Sequence, residues 1–341
     1  MRTRLILTTA VALAAAGTIA GAAAAPAART APRVTVMTRN LFLGADLLPL
    51  ATAEKGAPFE HAVAAALASV QSTTPAARMK LIAREIANAK PDLVGLQEVS
   101  RWSTGPLNSS TKPNHVVVDY LGVMMAELRR LHAPYRVAVK RLSLHLRAPS
   151  SRGVMVDFTD GNAILVRSGV SVRNARAADF RSLLRIPTKG IGTVVVSRSW
   201  ASLDATVRGA RLHFVDAHLE AYSAATRLDQ AKELVAGPLR SRLHTVLVGD
   251  LNSNANLPKP EDQRPFLAIR AAGFRDKRTP KVNCCLNDDL RSGKWDHIVD
   301  HIMAKPALKL IRSFVTGRET TAAGRHPSDH GGVVSVLGFP R

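Results

Sequence analysis

The chain has 341 residues, 46% of them hydrophobic, which is enough to bury a large core in one or two domains. Its 47 lysines and arginines outnumber 26 acids, for a net charge of +21. That excess suggests a polyanionic partner, nucleic acid or an anionic membrane surface, or else a secreted protein made basic for solubility or cell-wall adhesion. The two cysteines are neighbours, Cys284 and Cys285. This excludes a disulfide framework and a structural zinc spacing, and bridged residues prefer Cα atoms further apart than neighbours allow.

Residues 1–25 have the form of a secretory signal peptide. Arg2 and Arg4 precede an apolar run from Leu5 to Ala20, and small residues lead to Ala25-Pro26, an exit that favours cleavage over a membrane anchor. A short segment, 26–32, then leads into a domain at 33–341. Removing residues 1–30 leaves 44 of the 47 basic residues against all 26 acids, net +18, so the charge belongs to the secreted protein. No second stretch is long and apolar enough to span a bilayer.

Val34 to Leu41 reads as a strand from its β-branched content, closed by Asn40 and followed by a turn at Leu43-Gly44-Ala45-Asp46. Phe59–Val70 and Pro75–Ala89 read as helices, the second with Met79, Ile82, Ala83 and Ile86 on one face and Arg78, Lys80 and Arg84 off it. Leu93–Val99 is a strand whose alternation puts Glu98 on the face of Val94 and Leu96. Residues 100–115 read as loop and Val116–Leu131 as helix. The stretch Lys140–Arg152 reads as a basic loop, either solvated or a lip beside a site. Asp160-Gly161-Asn162 is a turn signal before a strand at Ala163–Val166.

Thr193–Ser197, Ser199–Val207 and Arg211–Leu219 are further strands, and His218 and Glu220 share the face opposite Val215, Ala217 and Leu219. Ala224–Ala236 is a helix. Thr245-Val246-Leu247-Val248 is a buried strand that stops at Gly249-Asp250-Leu251-Asn252. A carboxylate after such a strand is costly unless paired or bound to metal, although Asp and Asn also favour plain turns. Gly249 leaves room for a ligand at the backbone. Pro265–Ala272 is a short helix. His297–Ala304 is a strand with Asp300 on the face of Ile298 and Ile302, so the four-residue spacing of His297 and His301 is not a helical zinc pair. His326-Pro327-Ser328-Asp329-His330 precedes a last strand, Val333–Leu337. With no repeat or linker after residue 33, one domain of many strands and several helices is expected.

Asn40, Glu98, His218, Asp250, Asn252, Asp300, Asp329 and His330 are the candidate functional groups. Carboxylates and amides are hard oxygen ligands that suit Mg²⁺, Mn²⁺ or Ca²⁺, and two histidines can stabilise a phosphoryl group or move protons. Metal-assisted phosphoester hydrolysis needs such an asymmetric set.

In order along the chain, Thr38-Arg39-Asn40-Leu41, Leu96-Gln97-Glu98-Val99, His218-Leu219-Glu220, Gly249-Asp250-Leu251-Asn252, Val299-Asp300-His301-Ile302 and Ser328-Asp329-His330 resemble the motifs of the endonuclease/exonuclease/phosphatase superfamily. The resemblance implies a DNase I-like fold, a four-layer α/β/β/α sandwich of two packed mixed β-sheets. It implies a divalent cation held mainly by Glu98, with Asn40 and Asp329 nearby, and Asp250 as the group that orients or activates water. Asn252 and His218 would bind phosphoryl oxygens, and His330, oriented by Asp300, would contact the scissile phosphate. Arg227 and Gln230 resemble a recurring pattern after His218 and read as orienting, with Arg227 on the substrate side. At two places the pattern is broken: Val299 stands where an arginine is usual, and Phe42 where some members carry an aspartate, with Asp46 further on.

The superfamily cleaves nucleic acids, phosphoinositides and sphingomyelin, so fold alone does not choose. Positive charge favours a DNA or RNA backbone and hence a secreted nuclease. The alternative is a sphingomyelinase or phospholipase C-like enzyme on an anionic lipid surface, which should carry an exposed aromatic hairpin. With 4% aromatic residues and Trp102, Trp200 and Trp295 isolated, no such hairpin is evident. A non-catalytic polyanion-binding protein is disfavoured by the retention of every polar motif. No dedicated protein partner is indicated, and a monomer is expected.

Overall fold

The computed structural model describes residues 31–107, 113–190, 192–278 and 281–340. The signal peptide read at 1–25 therefore lies outside the described residues, as does most of the 26–32 segment. Two β-sheets carry the structure. The first runs Lys309–Val315, Val333–Gly338, Arg33–Asn40, Leu93–Gln97, Val154–Arg167, Arg101–Pro106 and His115–Asp119, with Tyr135–Ser150 also paired to Val154–Arg167. The second runs Arg275–Asp276, Asp300–Lys305, His244–Asp250, Ala210–His218, Ser199–Val207 and Ser171–Asp179.

Both sheets are mixed. Arg33–Asn40 lies parallel to Leu93–Gln97, and Ala210–His218 parallel to His244–Asp250, among antiparallel neighbours. A parallel pair needs a crossover. Helices Leu48–Thr52, Ala57–Ser72 and Pro75–Ala89 supply the first, and Ala224–Ala236 the second.

Three apolar clusters separate four layers. Strand alternation sends Val94 and Leu96 toward Val63, Val70, Ile82 and Ile86 of the helices. It sends Val34, Val36 and Leu93 toward Phe214, Val246, Val248 and Ile302 of the other sheet. Leu247 and Met303 then face Leu234, Phe266 and Ile269, on the helices Ala224–Ala236 and Pro260–Ala271. This is the α/β/β/α sandwich. Between the sheets Gly95 has no spare room: a Cβ there would lie 2.5 Å from both Asp216 Oδ1 and Val248 Cγ2.

Several local readings give way to tertiary pairing. Within the stretch read as loop, Arg101–Pro106 is a strand that pairs with both Val154–Arg167 and His115–Asp119, while 108–112 lie outside the described residues. The helix read from Val116 starts at Tyr120, because Val116–Val118 belong to a strand and the Asp119 side chain caps the helix by accepting from Gly122 N at 2.8 Å. Lys140–Arg152 is largely strand, Tyr135–Ser150, and Arg141 pairs with Asp179 at 2.5 Å. Asp160-Gly161-Asn162 is no turn but the middle of Val154–Arg167, where a Cβ on Gly161 would meet Arg141 O at 2.0 Å. The short helix begins earlier, at Pro260, with Pro265 inside it. The strand read at His297–Ala304 divides into Gly293–His297 and Asp300–Lys305, which pair in different sheets. Arg78, read as lying off the buried face, is fully buried.

Candidate active site

Register builds the site. His218 sits opposite Asp250, and Asp250 opposite Asp300, so three adjacent strands of the second sheet bring three ionisable residues side by side. In the facing sheet Asn40 is opposite Gln97. Glu98 follows with left-handed backbone, φ 55°. The strand has already ended at Gln97, so the face shared with Val94 and Leu96 does not extend to Glu98. Asn252 also has positive φ, 47°. Gly249 is needed for close chain packing rather than for a ligand, since a Cβ there would lie 1.9 Å from Ala217 O.

The predicted residues converge. Asn40 Nδ2 donates to Glu98 Oε1 and to Asp250 Oδ2, each at 3.1 Å, while Asn40 Oδ1 accepts from Phe42 N at 2.9 Å. Asn40 thus braces the two acids, its oxygen taken by backbone. Glu98 Oε2 accepts from Leu43 N, and Leu43 O is held by Trp102 Nε1 and the Tyr120 hydroxyl, each at 3.0 Å. Asp250 Oδ1 accepts from Asn252 N at 2.9 Å. Asp250 Oδ2 lies 3.6 Å from His218 Nε2 and 3.8 Å from His330 Nε2. His330 Nδ1 is 2.8 Å from Asp300 Oδ2. Asp329 Oδ2 is 4.0 Å from His330 Nε2.

Two expected members play supporting parts. Arg227 directs every guanidinium nitrogen inward: Nε to Glu220 O at 2.6 Å, Nη1 to Asn252 O at 2.6 Å and Asp262 Oδ1 at 2.9 Å, Nη2 to Ala221 O at 2.9 Å. It braces the loops after His218 and Asp250 rather than reaching toward a substrate. Gln230 Oε1 accepts from Glu220 N at 2.8 Å. Asn252 Nδ2 donates to Leu219 O at 3.0 Å. Asp46 caps Leu48 N at 2.8 Å.

The two histidines are driven to opposite charge states. Burial first, then the Arg198 guanidinium, pushes His218 down to about 3, so it is neutral. Arg198 Nη1 lies 3.3 Å from His218 Nδ1. A guanidinium has only donors, so Nδ1 accepts and the proton sits on Nε2, facing Asp250. For His330, burial alone would lower the pKa, but the carboxylates of Asp300, Asp329 and Asp250 outweigh it and hold it well above the usual histidine value. Burial alone would likewise raise Asp250, but His330 and the Asn252 and Asn40 hydrogen bonds keep it below the usual aspartate value. An ionised acid therefore lies between a neutral and a protonated imidazole, and such divergence marks acid and base roles.

Glu98 and Asp329 fit a cation. Burial, then the charge of Asp329, pushes Glu98 up, and burial does the same to Asp329. A half-buried Glu98 whose pKa is raised by the neighbouring Asp329 carboxylate is relieved by a divalent ion, and the oxygens of both acids are hard donors. Asp250, Asp300 and His330 also place ligand atoms within 4.8 Å of one another, but Asp300 already holds His330.

The sequence reading missed the residues that hold these groups in place. Arg78 donates to Leu41 O, Phe42 O and Pro327 O at 2.9, 3.2 and 2.8 Å and to the Tyr120 hydroxyl at 2.9 Å. Arg39 holds His330 O and, at 3.1 Å, Glu85 Oε1. Asp216 ties the sheets, accepting from Gln97 Nε2 at 2.5 Å and Asn162 Nδ2 at 2.8 Å, and burial pushes it up to about 8. Asp160 accepts from the Ser100 hydroxyl at 2.9 Å and is pushed up to about 7 by burial, then by Glu98. The only early signal for Asp216 was its alternation with His218. The cysteines also lie beside the chemistry. They are joined as a vicinal disulfide, against the usual Cα separation, with sulfurs 3.5 and 3.6 Å from His330 Nε2.

A two-sheet sandwich with a buried acid–histidine centre at adjoining strand ends defines the class of metal-dependent phosphoesterases. Residues 67–330 match the Endonuclease/Exonuclease/phosphatase family, and the chain belongs to it. Among solved structures the fold is similar to a family protein from Leptotrichia buccalis C-1013-b, with TM-score 0.57 and 16% identity over 90% of this chain and 100% of that one. It is similar to a family protein from Beutenbergia cavernae DSM 12333, with TM-score 0.56 and 19% identity over 90% and 72%. A mannosyl-6-phosphatase from Bacteroides thetaiotaomicron VPI-5482 has TM-score 0.54 and 19% identity over 90% and 100%. No curated protein matches the sequence.

Proposed function

We propose that this phosphoesterase is a secreted phosphodiesterase that cleaves a nucleic-acid backbone as an endonuclease, with Mg²⁺, or Mn²⁺ or Ca²⁺, at Glu98. The observation that carries the hydrolytic reading is the place of Asp250, its Oδ2 3.6 Å from His218 Nε2 and 3.8 Å from His330 Nε2, with the His218 pKa pushed down by burial and that of His330 held up by its carboxylate neighbours. Asp250 orients a water and takes its proton. His218 Nε2–H and the second amide hydrogen of Asn252 donate to phosphoryl oxygens. His330, fixed by Asp300, faces the developing negative charge. A cation held by Glu98 and Asp329, with Asn40 bracing Glu98, would supply charge neutralisation at the phosphate. The net charge of +21 supports a polyanionic substrate, and the N-terminal sequence supports export.

A second reading, a phospholipase C-like or sphingomyelinase activity, is supported by a small apolar cleft, about 90 Å³, beside the centre. Leu43, Leu47, Phe59, Leu146, Ile186 and Val194 line it, with Asp160, Arg198 and Tyr222 at its polar end. Plasmid nicking with Mg²⁺ and with EDTA, run beside sphingomyelin and sugar-phosphate hydrolysis, separates the readings. Nicking that EDTA abolishes is the expected result. Lipid turnover without nicking would replace the nuclease reading with the second one.

A further inference from the structure

The vicinal cysteines have no part in the hydrolysis above, yet Cys284 and Cys285 place their sulfurs with His330 so that the three ligand atoms lie within 4.8 Å of one another. Cys284 Sγ lies 3.5 Å and Cys285 Sγ 3.6 Å from His330 Nε2, and Cys285 Sγ lies 4.0 Å from His297 Nε2. The pairing of Cys284 with His297 in the short two-stranded ribbon creates this cluster. No spacing in the sequence announces it.

We propose that, once the sulfur–sulfur bond is reduced, Cys284, Cys285 and His330 bind a thiophilic divalent cation, Zn²⁺ or Cd²⁺, that draws in His297 as its fourth ligand, and that occupancy withdraws His330 from hydrolysis. Two thiolates and two imidazoles are a zinc ligand set. Zn²⁺ holds such ligands in a tetrahedron, and reduction frees the two sulfurs to occupy separate corners of it. This site is distinct in chemistry from Glu98 and Asp329, whose oxygens suit hard cations. The His330 nitrogen it takes is the one that faces Asp250, while Nδ1 stays with Asp300.

Reduction is a separate, balanced step. A phosphine gives two electrons to the disulfide and takes the oxygen of one water as phosphine oxide, and the two water protons go to the two sulfurs. Cation binding then releases the two thiol protons and the Nε2 proton of His330.

The test titrates Cd²⁺ into phosphine-reduced protein and follows the ultraviolet thiolate-to-cadmium charge-transfer absorbance. Hydrolysis of bis(4-nitrophenyl) phosphate in excess Mg²⁺ is measured in parallel. The chain has only two cysteines, so the absorbance reports this pair alone. The expected result is saturation at one Cd²⁺ per chain, with hydrolysis lost in step. Unreduced protein should show no absorbance. His297→Ala should weaken half-saturation about tenfold or more while the absorbance persists, and Cys284→Ser/Cys285→Ser, with folding verified by circular dichroism, should show none. Inhibition is compared with each protein's own cation-free rate. Absence of the absorbance in reduced, folded wild-type protein would overturn the proposal, as would saturation that leaves the rate and the His297→Ala affinity unchanged. The inhibition arm rests on the assignment of His330 to hydrolysis, but the absorbance arm does not. If no phosphoester is cleaved, weaker Cd²⁺ binding by His330→Ala still supports the site, and unchanged binding overturns it.

Discussion

Asp300 Oδ2 and His330 Nδ1 lie 2.8 Å apart, although 30 residues separate them in the chain. Asp300 is fully buried, and its Oδ1 has no hydrogen-bond partner among the described residues. A buried carboxylate paired in this way depends on its partner. The pair fixes which imidazole nitrogen faces Asp250.

Asp300→Asn should therefore lower kcat about 10²-fold or more while KM changes little, because orientation and charge at His330 matter most at the transition state. Steady-state kinetics on bis(4-nitrophenyl) phosphate check this. A proportionate rise in KM with kcat unchanged would leave Asp300 a role in binding only.

The pH profile should be broad. Asp250 must be ionised and is held below the usual aspartate value, so the acidic limb lies low. His330 must be protonated and is held well above the usual histidine value, so the alkaline limb lies high. His218, near 3, stays neutral across the plateau. Stability follows the same sign. The folded pKa of His330 is raised, so its contribution is complete below the unfolded value of about 6.5 and is lost as pH rises through the folded value. Rate profiles and urea midpoints measured at several pH values test both statements.

Glu98→Gln should weaken Mg²⁺ binding about tenfold or more and remove most activity with the fold retained, since a neutral amide is a poorer ligand for a hard cation. Isothermal titration with Mg²⁺ reads the first effect directly. Unchanged affinity would move the cation away from Glu98.

Asp216→Ala should destabilise the protein without touching a reacting atom. It strands the Gln97 and Asn162 amide donors between the sheets, at about 1–3 kcal/mol for each unsatisfied group. The urea midpoint should fall. A midpoint equal to wild type would show that water or repacking satisfies both donors.

Duplex DNA binding should weaken steeply with salt, because each neutralised phosphate releases counterions and log K falls linearly with log salt. Fluorescence anisotropy across a salt series measures the slope. A flat response beside tight binding to sphingomyelin vesicles would favour the cleft of Leu146 and Ile186 as the substrate side.

The polar groups near strand ends were legible in the sequence, although the exact ends were not: Asn40 closes its strand as read, while the strands read to Leu219, Val248 and Val99 end at His218, Asp250 and Gln97. A polar group beside a β-branched run shows itself locally, because burying an unpaired charge is costly. Helices such as Pro75–Ala89 and Ala224–Ala236 were legible to the residue for a similar reason: their periodicity and their proline or serine starts are local properties. Tertiary structure decided everything that depends on register between distant strands. The Gly161 segment is a strand because Tyr135–Ser150 lies beside it. Arg78 is buried because three carbonyls from two loops need a donor. Asp216 is a bridge because Gln97 and Asn162 arrive from the other sheet. Above all, His218 and His330 are the same residue type in the same site. Burial and Arg198 make the first neutral, and the carboxylates of Asp300, Asp329 and Asp250 make the second charged.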